Sequence, residues 1–140
     1  LNLELPQAAR KLVLDACLYF DGQRYTLWAG VVMPDHVHLL LQPREIKAGQ
    51  WWSLSSILHS IKSFTANGIN KLLTRKDNVW QEESFDRIVR DEEELLEKWN
   101  YIRNNPVKKG LCRAPEEWDG LYECTGKMPV LPDEDITGRR

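Results

Sequence analysis

At 140 residues the chain is long enough for one domain with a real core, and 42% hydrophobic content with six tryptophans excludes a disordered segment. No apolar run approaches the roughly 20 residues of a spanning helix and no secretory signal is visible, so no membrane partner is expected. Cys17, Cys112 and Cys124 are odd in number and lack Cys-x-x-Cys spacing, which favours free thiols in a reducing, cytoplasmic setting over a disulfide framework or zinc ribbon.

Leu5 to Phe20 predicts a helix: Pro6 suits the first turn, and Ala9, Leu12, Val13, Ala16 and Phe20 recur at helical spacing. Asp21-Gly22 stops it. Arg24 to Met33 is rich in β-branched and aromatic residues and predicts a strand. Pro34-Asp35 is a turn signal, and His38 to Gln42 continues as a second strand, so the two form a hairpin. Pro43 to Gln50 reads as a loop. Ser53 to about Thr74 is the longest helical pattern, with Leu54, Ile57, Leu58, Ile61, Phe64 and Leu72 on one side, weakened locally by Gly68. His59 sits beside that stripe as a boundary residue.

Asn78 to Val89 predicts a third strand. Asp91 and Glu94 have the spacing of a capping box, and four acids in the first turn suit the helix dipole. That helix is expected to end near Asn104 or Asn105, before Pro106, with Leu95, Leu96, Trp99 and Ile102 as its core face. Ala114 to Arg140 reads as a packed-down extension that frays after about Val130.

The informative stretch is Met33-Pro34-Asp35-His36-Val37-His38. In a strand, residues i and i+2 share a face, so His36 and His38 project side by side while Val37 and Leu39 face the other way. Two neutral imidazoles begin a metal site without completing one, and a half-solvated histidine pair at a strand edge is the plain alternative. On the 91–105 helix, Tyr101 falls outside the core arc, and Asn105 lies beside it one turn on. Together, His36, His38 and the Asn105 amide oxygen are a mixed donor set suited to Mg²⁺ or Mn²⁺, and Tyr101 is a candidate nucleophile toward a phosphodiester.

The net charge of −2 does not advertise a nucleic-acid partner. Yet between Asp35 and Asp77 the only acid is Glu45, against Arg44, Lys47, Lys62, Lys71, Arg75 and Lys76. A locally basic face can hold phosphates, and an ordinary solvated helix face accounts for the same charges. The candidate DNA contacts are Lys62, Lys71, Arg75, Arg103, Lys108 and Lys109. Trp51, Trp52 and Trp80 are candidates for stacking unpaired bases or for packing the core.

His36-Val37-His38 after Met33-Pro34-Asp35 resembles the His-hydrophobic-His motif of the HUH single-tyrosine transposases. Trp80-Gln81, Phe85-Asp86-Arg87-Ile88-Val89-Arg90-Asp91-Glu92-Glu93 and Tyr101-Ile102-Arg103-Asn104-Asn105-Pro106-Val107-Lys108-Lys109-Gly110-Leu111 resemble the branch called REP-associated tyrosine transposases, in family order over about residues 24–113. The resemblance implies an α+β, ferredoxin-like HUH domain over residues 1–113, with a central antiparallel sheet and helices packed on it, followed by the 114–140 extension. It implies Tyr101 as nucleophile on single-stranded DNA, giving a 5′-phosphotyrosine and a free 3′-OH. It further implies His36, His38 and Asn105 as metal ligands, palindromic hairpin-forming elements as substrate, and a monomer or homodimer. It also implies a strand before the first helix, which residues 1–4 do not supply. The segment after Gly110 matches weakly, so no functional residue is carried into it.

Two other readings share these residues. One is a domesticated, non-catalytic hairpin-binding module on the same fold, which gives no role to all four of His36, His38, Tyr101 and Asn105. The other is a small-molecule metal hydrolase, which gives no role to Tyr101 or the basic stretch.

Overall fold

The structure is a computed structural model that describes residues 3–80 and 91–124. Helix α1 (Gln7–Phe20) buries Ala9, Val13, Ala16 and Cys17, the three- and four-residue spacing of one helical face. Strands β1 (Tyr25–Val32) and β2 (Val37–Pro43) form the expected antiparallel hairpin. Its turn is closed by the Met33 N–H donating to the His36 carbonyl at 2.8 Å, with Pro34 and Asp35 between them. The backbone N–H of Leu5 donates to the Pro34 carbonyl at 2.6 Å and ties the start of the chain to this turn.

The hairpin is not a plain two-residue repeat. Leu27 pairs with Leu41 but Ala29 pairs with Leu40, so Trp28 is an extra residue in β1. The bulge reverses the faces of one strand. Tyr25 and Leu27 belong to one core, whereas Ala29, Val31 and Met33, which have the same parity, belong to the other. On β2, Val37, Leu39 and Leu41 join the first core and Leu40 joins the second.

Helix α2 (Leu54–Leu73) is capped by the Ser53 hydroxyl, which accepts from the Ser56 N–H at 3.1 Å. It packs with α1 on the first face of the sheet through Ile57, Ile61 and Ile69. Phe64 and Leu72, read as part of its core stripe, are exposed; Thr65 takes the buried position instead. The Thr65 hydroxyl donates to the Ile61 carbonyl at 2.6 Å and accepts from the Trp80 indole at 2.9 Å, so the polar atom is satisfied in the core. Gly68 is a point of close approach: a Cβ there would stand 2.9 Å from a Leu12 methyl of α1.

Helix α3 (Glu92–Lys108) covers the second face with Leu95 and Ile102. Asp91 caps it, accepting from the Glu94 N–H at 2.8 Å. The expected stop at Pro106 is corrected: Pro106 lies inside the helix and is buried, and the last turn closes through the Lys109 N–H on the Asn105 carbonyl. A proline forfeits only its own N–H, and the chain turns off at Gly110, whose φ of 76° is left-handed. Leu96, assigned to the core face, is exposed.

One further expectation changes. The 43–50 loop holds a small antiparallel pair, β3 (Glu45–Lys47) and β4 (Gln50–Trp51). The segment after Ala114 is packed down through Glu123 and adds a strand that was not foreseen: a 3₁₀ turn (Pro115–Glu117) leads into β5 (Leu121–Glu123), which pairs antiparallel with the far edge of β1. The sheet order is therefore β2-β1-β5, with α1 and α2 on one face and α3 on the other, an α+β architecture. The strand expected at 78–89 lies outside the described residues beyond Trp80, as does the tail from residue 125.

Candidate active site

The start of β2 and the middle of α3 bring three of the candidate residues together. His38 pairs with Val31 and shares the second face with Leu40, toward α3. The His36 and His38 rings lie edge to face with centroids 4.7 Å apart. Tyr101 reaches His38 from α3, again edge to face, at 5.4 Å. Tyr101 is 52% exposed. Asn105 is one turn further along the same helix and is buried.

The electrostatics suit a neutral imidazole at His38. Burial holds His38 down to about 4, with the positive charges of His36 and Lys98 adding to the effect. At neutral pH its lone pair is free for a ligand. His36 Nδ1 lies 2.6 Å from the Asp35 carboxylate. That bond, above all, keeps Asp35 below the usual carboxylate range, with Lys109 a smaller contributor. An ionised carboxylate only accepts, so Nδ1 carries the hydrogen and Nε2 is left to bind.

These residues fit a divalent cation of the oxygen- and nitrogen-binding kind. Among the described residues no three His, Cys, Asp or Glu side chains come together as a metal site; the buried Asn105 carries an amide oxygen one turn along α3 from Tyr101. Two participants were missed in the sequence. Asp35 was read only as a turn residue, although it directly precedes His36. Lys98 was passed over, although it stands three residues before Tyr101 and so on the same side of α3.

The candidate DNA contacts divide. Lys108 and Lys109 are exposed at the end of α3, on the side of the sheet that carries His38. Lys62, Lys71 and Arg75 belong to α2 and its exit, on the opposite face. Lys62 and Lys71 are nine residues apart, about half a turn round the helix, and cannot face one ligand surface. Arg75 braces the α2 terminus, donating to Asn70 Oδ1 at 3.0 Å. Arg103 is held by two carboxylates, Glu123 at 2.7 Å and Glu116 at 2.6 Å. Trp52 and Trp80 pack at the edge of the first core, Trp52 with the Arg24 guanidinium 4.7 Å from its ring. His59 is exposed on α2. Cys17 and Cys112 are free thiols, and burial pushes Cys17 up to about 12, which leaves it unreactive.

Comparison with known proteins points the same way. The family model described as "Transposase IS200 like" matches residues 8–105. A Haemophilus influenzae protein named as a REP-associated tyrosine transposase is 26% identical over 109 residues, covering 74% of this chain and 62% of the relative. A second, uncharacterized protein of that organism is 28% identical over 94 residues, 55% of this chain and 52% of its own length. The chain thus spans between 52% and 62% of these relatives. A solved structure of a REP-associated tyrosine transposase bound to a REP hairpin shares the fold with a TM-score of 0.63 at 22% identity, covering 82% of this chain and 62% of that one.

Proposed function

The chain belongs to the family of IS200-like transposases, and we propose that it cleaves and rejoins single-stranded DNA next to hairpins, with Tyr101 as the nucleophile. The observation that carries this reading is the exposed Tyr101 ring stacked edge to face on His38, itself 4.7 Å from His36. In the forward step Tyr101 Oη loses its proton and bonds to phosphorus, and the bond from phosphorus to the 3′ oxygen breaks. The products are a 5′-phosphotyrosine and a 3′-OH, and attack by another 3′-OH reverses the step on a new strand. The tyrosine ester keeps a phosphodiester-like bond through the exchange, which strand transfer needs and simple hydrolysis does not.

His36, His38 and the Asn105 amide are the residues that would hold Mg²⁺ or Mn²⁺. When bound, such a cation draws negative charge from the phosphate oxygens as the displacement proceeds. The chain's own contribution is position. Asp35 fixes the His36 tautomer, burial keeps His38 neutral, and α3 presents Tyr101 beside them. Lys108 and Lys109, with Lys98, supply positive charge on this face for the DNA backbone.

The test uses single-stranded hairpin oligonucleotides from palindromic repeats, incubated with the protein and Mg²⁺ or Mn²⁺ and run on a denaturing protein gel. A covalent band that vanishes on chelation and in Tyr101→Phe is the expected result. Hairpin binding with no adduct under any metal would contradict the reading and leave a non-catalytic hairpin-binding module.

A further inference from the structure

Tyr101 is held in place from the far side of its helix. Trp99 and Arg103, the residues two before and two after it, project from the flank of α3 about half a turn away, at roughly 100° per residue. Both donate to the same oxygen: the Trp99 indole to Glu123 Oε1 at 2.9 Å and Arg103 Nε to Glu123 Oε1 at 2.7 Å. Arg103 Nη2 also donates to Glu116 at 2.6 Å. Glu123 is itself fixed, because it stands opposite Ala29 in the pairing of β5 with β1.

The sheet order gives this grip its direction. With β1 in the middle, β5 lies on one side of α3 and β2, with His38, on the other. Leu95 and Ile102 seat the helix on the sheet, but apolar packing resists rolling only weakly compared with charged hydrogen bonds of defined direction. A roll of α3 that released Glu123 would carry Tyr101 away from, or into, His38. Glu123 also lies beyond residues 8–105, the part that matches the transposase family.

We propose that Glu123 is a positioning residue for Tyr101, setting the rotation of α3 from β5 and thereby the placing of the phenol against His38. This rests on the reading of Tyr101 as nucleophile, so the test pairs a catalytic readout with one that needs no catalysis. The first is the single-turnover rate of adduct formation alongside hairpin affinity. Glu123→Ala should slow the step about tenfold or more, as misplaced reacting groups do, while the hairpin Kd stays within about twofold. Glu123→Gln, which keeps an oxygen acceptor for both donors, should fall between wild type and Glu123→Ala.

The second readout is ¹⁹F NMR of the chain carrying 3-fluorotyrosine at position 101. Loss of the Glu123 contacts should move the resonance toward that of the His38→Ala chain, where the neighbouring ring is gone. An unchanged resonance in Glu123→Ala overturns the proposal, as does an unchanged rate. If the wild-type chain forms no adduct, the transposase reading falls, and the fluorine comparison alone decides the positioning claim. Should Glu123→Ala fail to fold, Glu123→Gln and Arg103→Gln carry the same two comparisons.

Discussion

The two faces of the sheet are built on different terms. The face covered by α1 and α2 is closed by aliphatic side chains, Val13, Leu27, Ile57, Ile61 and Ile69 among them, each almost wholly buried. The face covered by α3 has fewer such residues and relies on tryptophans, a shared carboxylate and a buried asparagine. Non-directional burial provides stability whatever the rotation of a helix; directional hydrogen bonds specify the rotation. The proposed chemistry belongs to the second face, where orientation matters more than area.

Tyr101→Phe should give the largest effect and the cleanest separation of the two faces. Adduct formation should drop by about 10⁴-fold or more in single-turnover assays, because the nucleophile has no substitute. The melting temperature should hold, since the lost hydroxyl belongs to a half-exposed ring. On the other face Ile57→Ala should do the reverse. It should cost about 2–5 kcal/mol in chemical denaturation, from lost burial and the cavity left. The folded fraction at low temperature should still form adduct at the wild-type rate. Equal losses of rate in both variants would break the comparison.

A third effect depends on pH. His38 is held down to about 4 in the fold against 6.5 for the free side chain. Between those values the unfolded chain binds more protons than the folded one, so stability falls as pH drops through this window and is fully present above it. His38→Gln should flatten the acid side of a plot of melting temperature against pH from 6.5 down to 4. A slope unchanged in that variant would show that other groups set the acid limit. The smallest effects concern the basic residues. Lys109→Ala should weaken hairpin binding and reduce its salt slope by about one, whereas Lys71→Ala, on the opposite face, should leave both unchanged in a fluorescence-anisotropy titration across salt concentrations.

Local pattern made much of this legible. The β1–β2 hairpin, the adjacency of the two histidines, and the Asp91 cap are written in contiguous residues, and the structure places each where its spacing implied. What escaped was set by contacts between distant segments. Thr65 displaced Phe64 from the α2 stripe because Trp80 and the Ile61 carbonyl satisfy its hydroxyl, which no periodicity reveals. The bulge at Trp28 depends on how β1 meets β2. Strand β5 is three residues long and is a strand only because β1 has an edge to offer. Pro106 looked like a stop because a proline usually is one, yet only one hydrogen bond is forfeited there. For the site, residue types and i+2 and i+4 spacing brought out His36, His38, Tyr101 and Asn105. The division of basic residues between two faces required the sheet order.

The most direct measurement is the identity of the residue that carries the DNA. The covalent species, trapped with a hairpin oligonucleotide and digested with nuclease and protease, can be sequenced by mass spectrometry. The chain has four tyrosines, of which Tyr19 is the more exposed alternative. The account predicts the nucleotide remnant on the peptide containing Tyr101 and on no other. A remnant on Tyr19 or Tyr122 would contradict it, because neither stacks on His38.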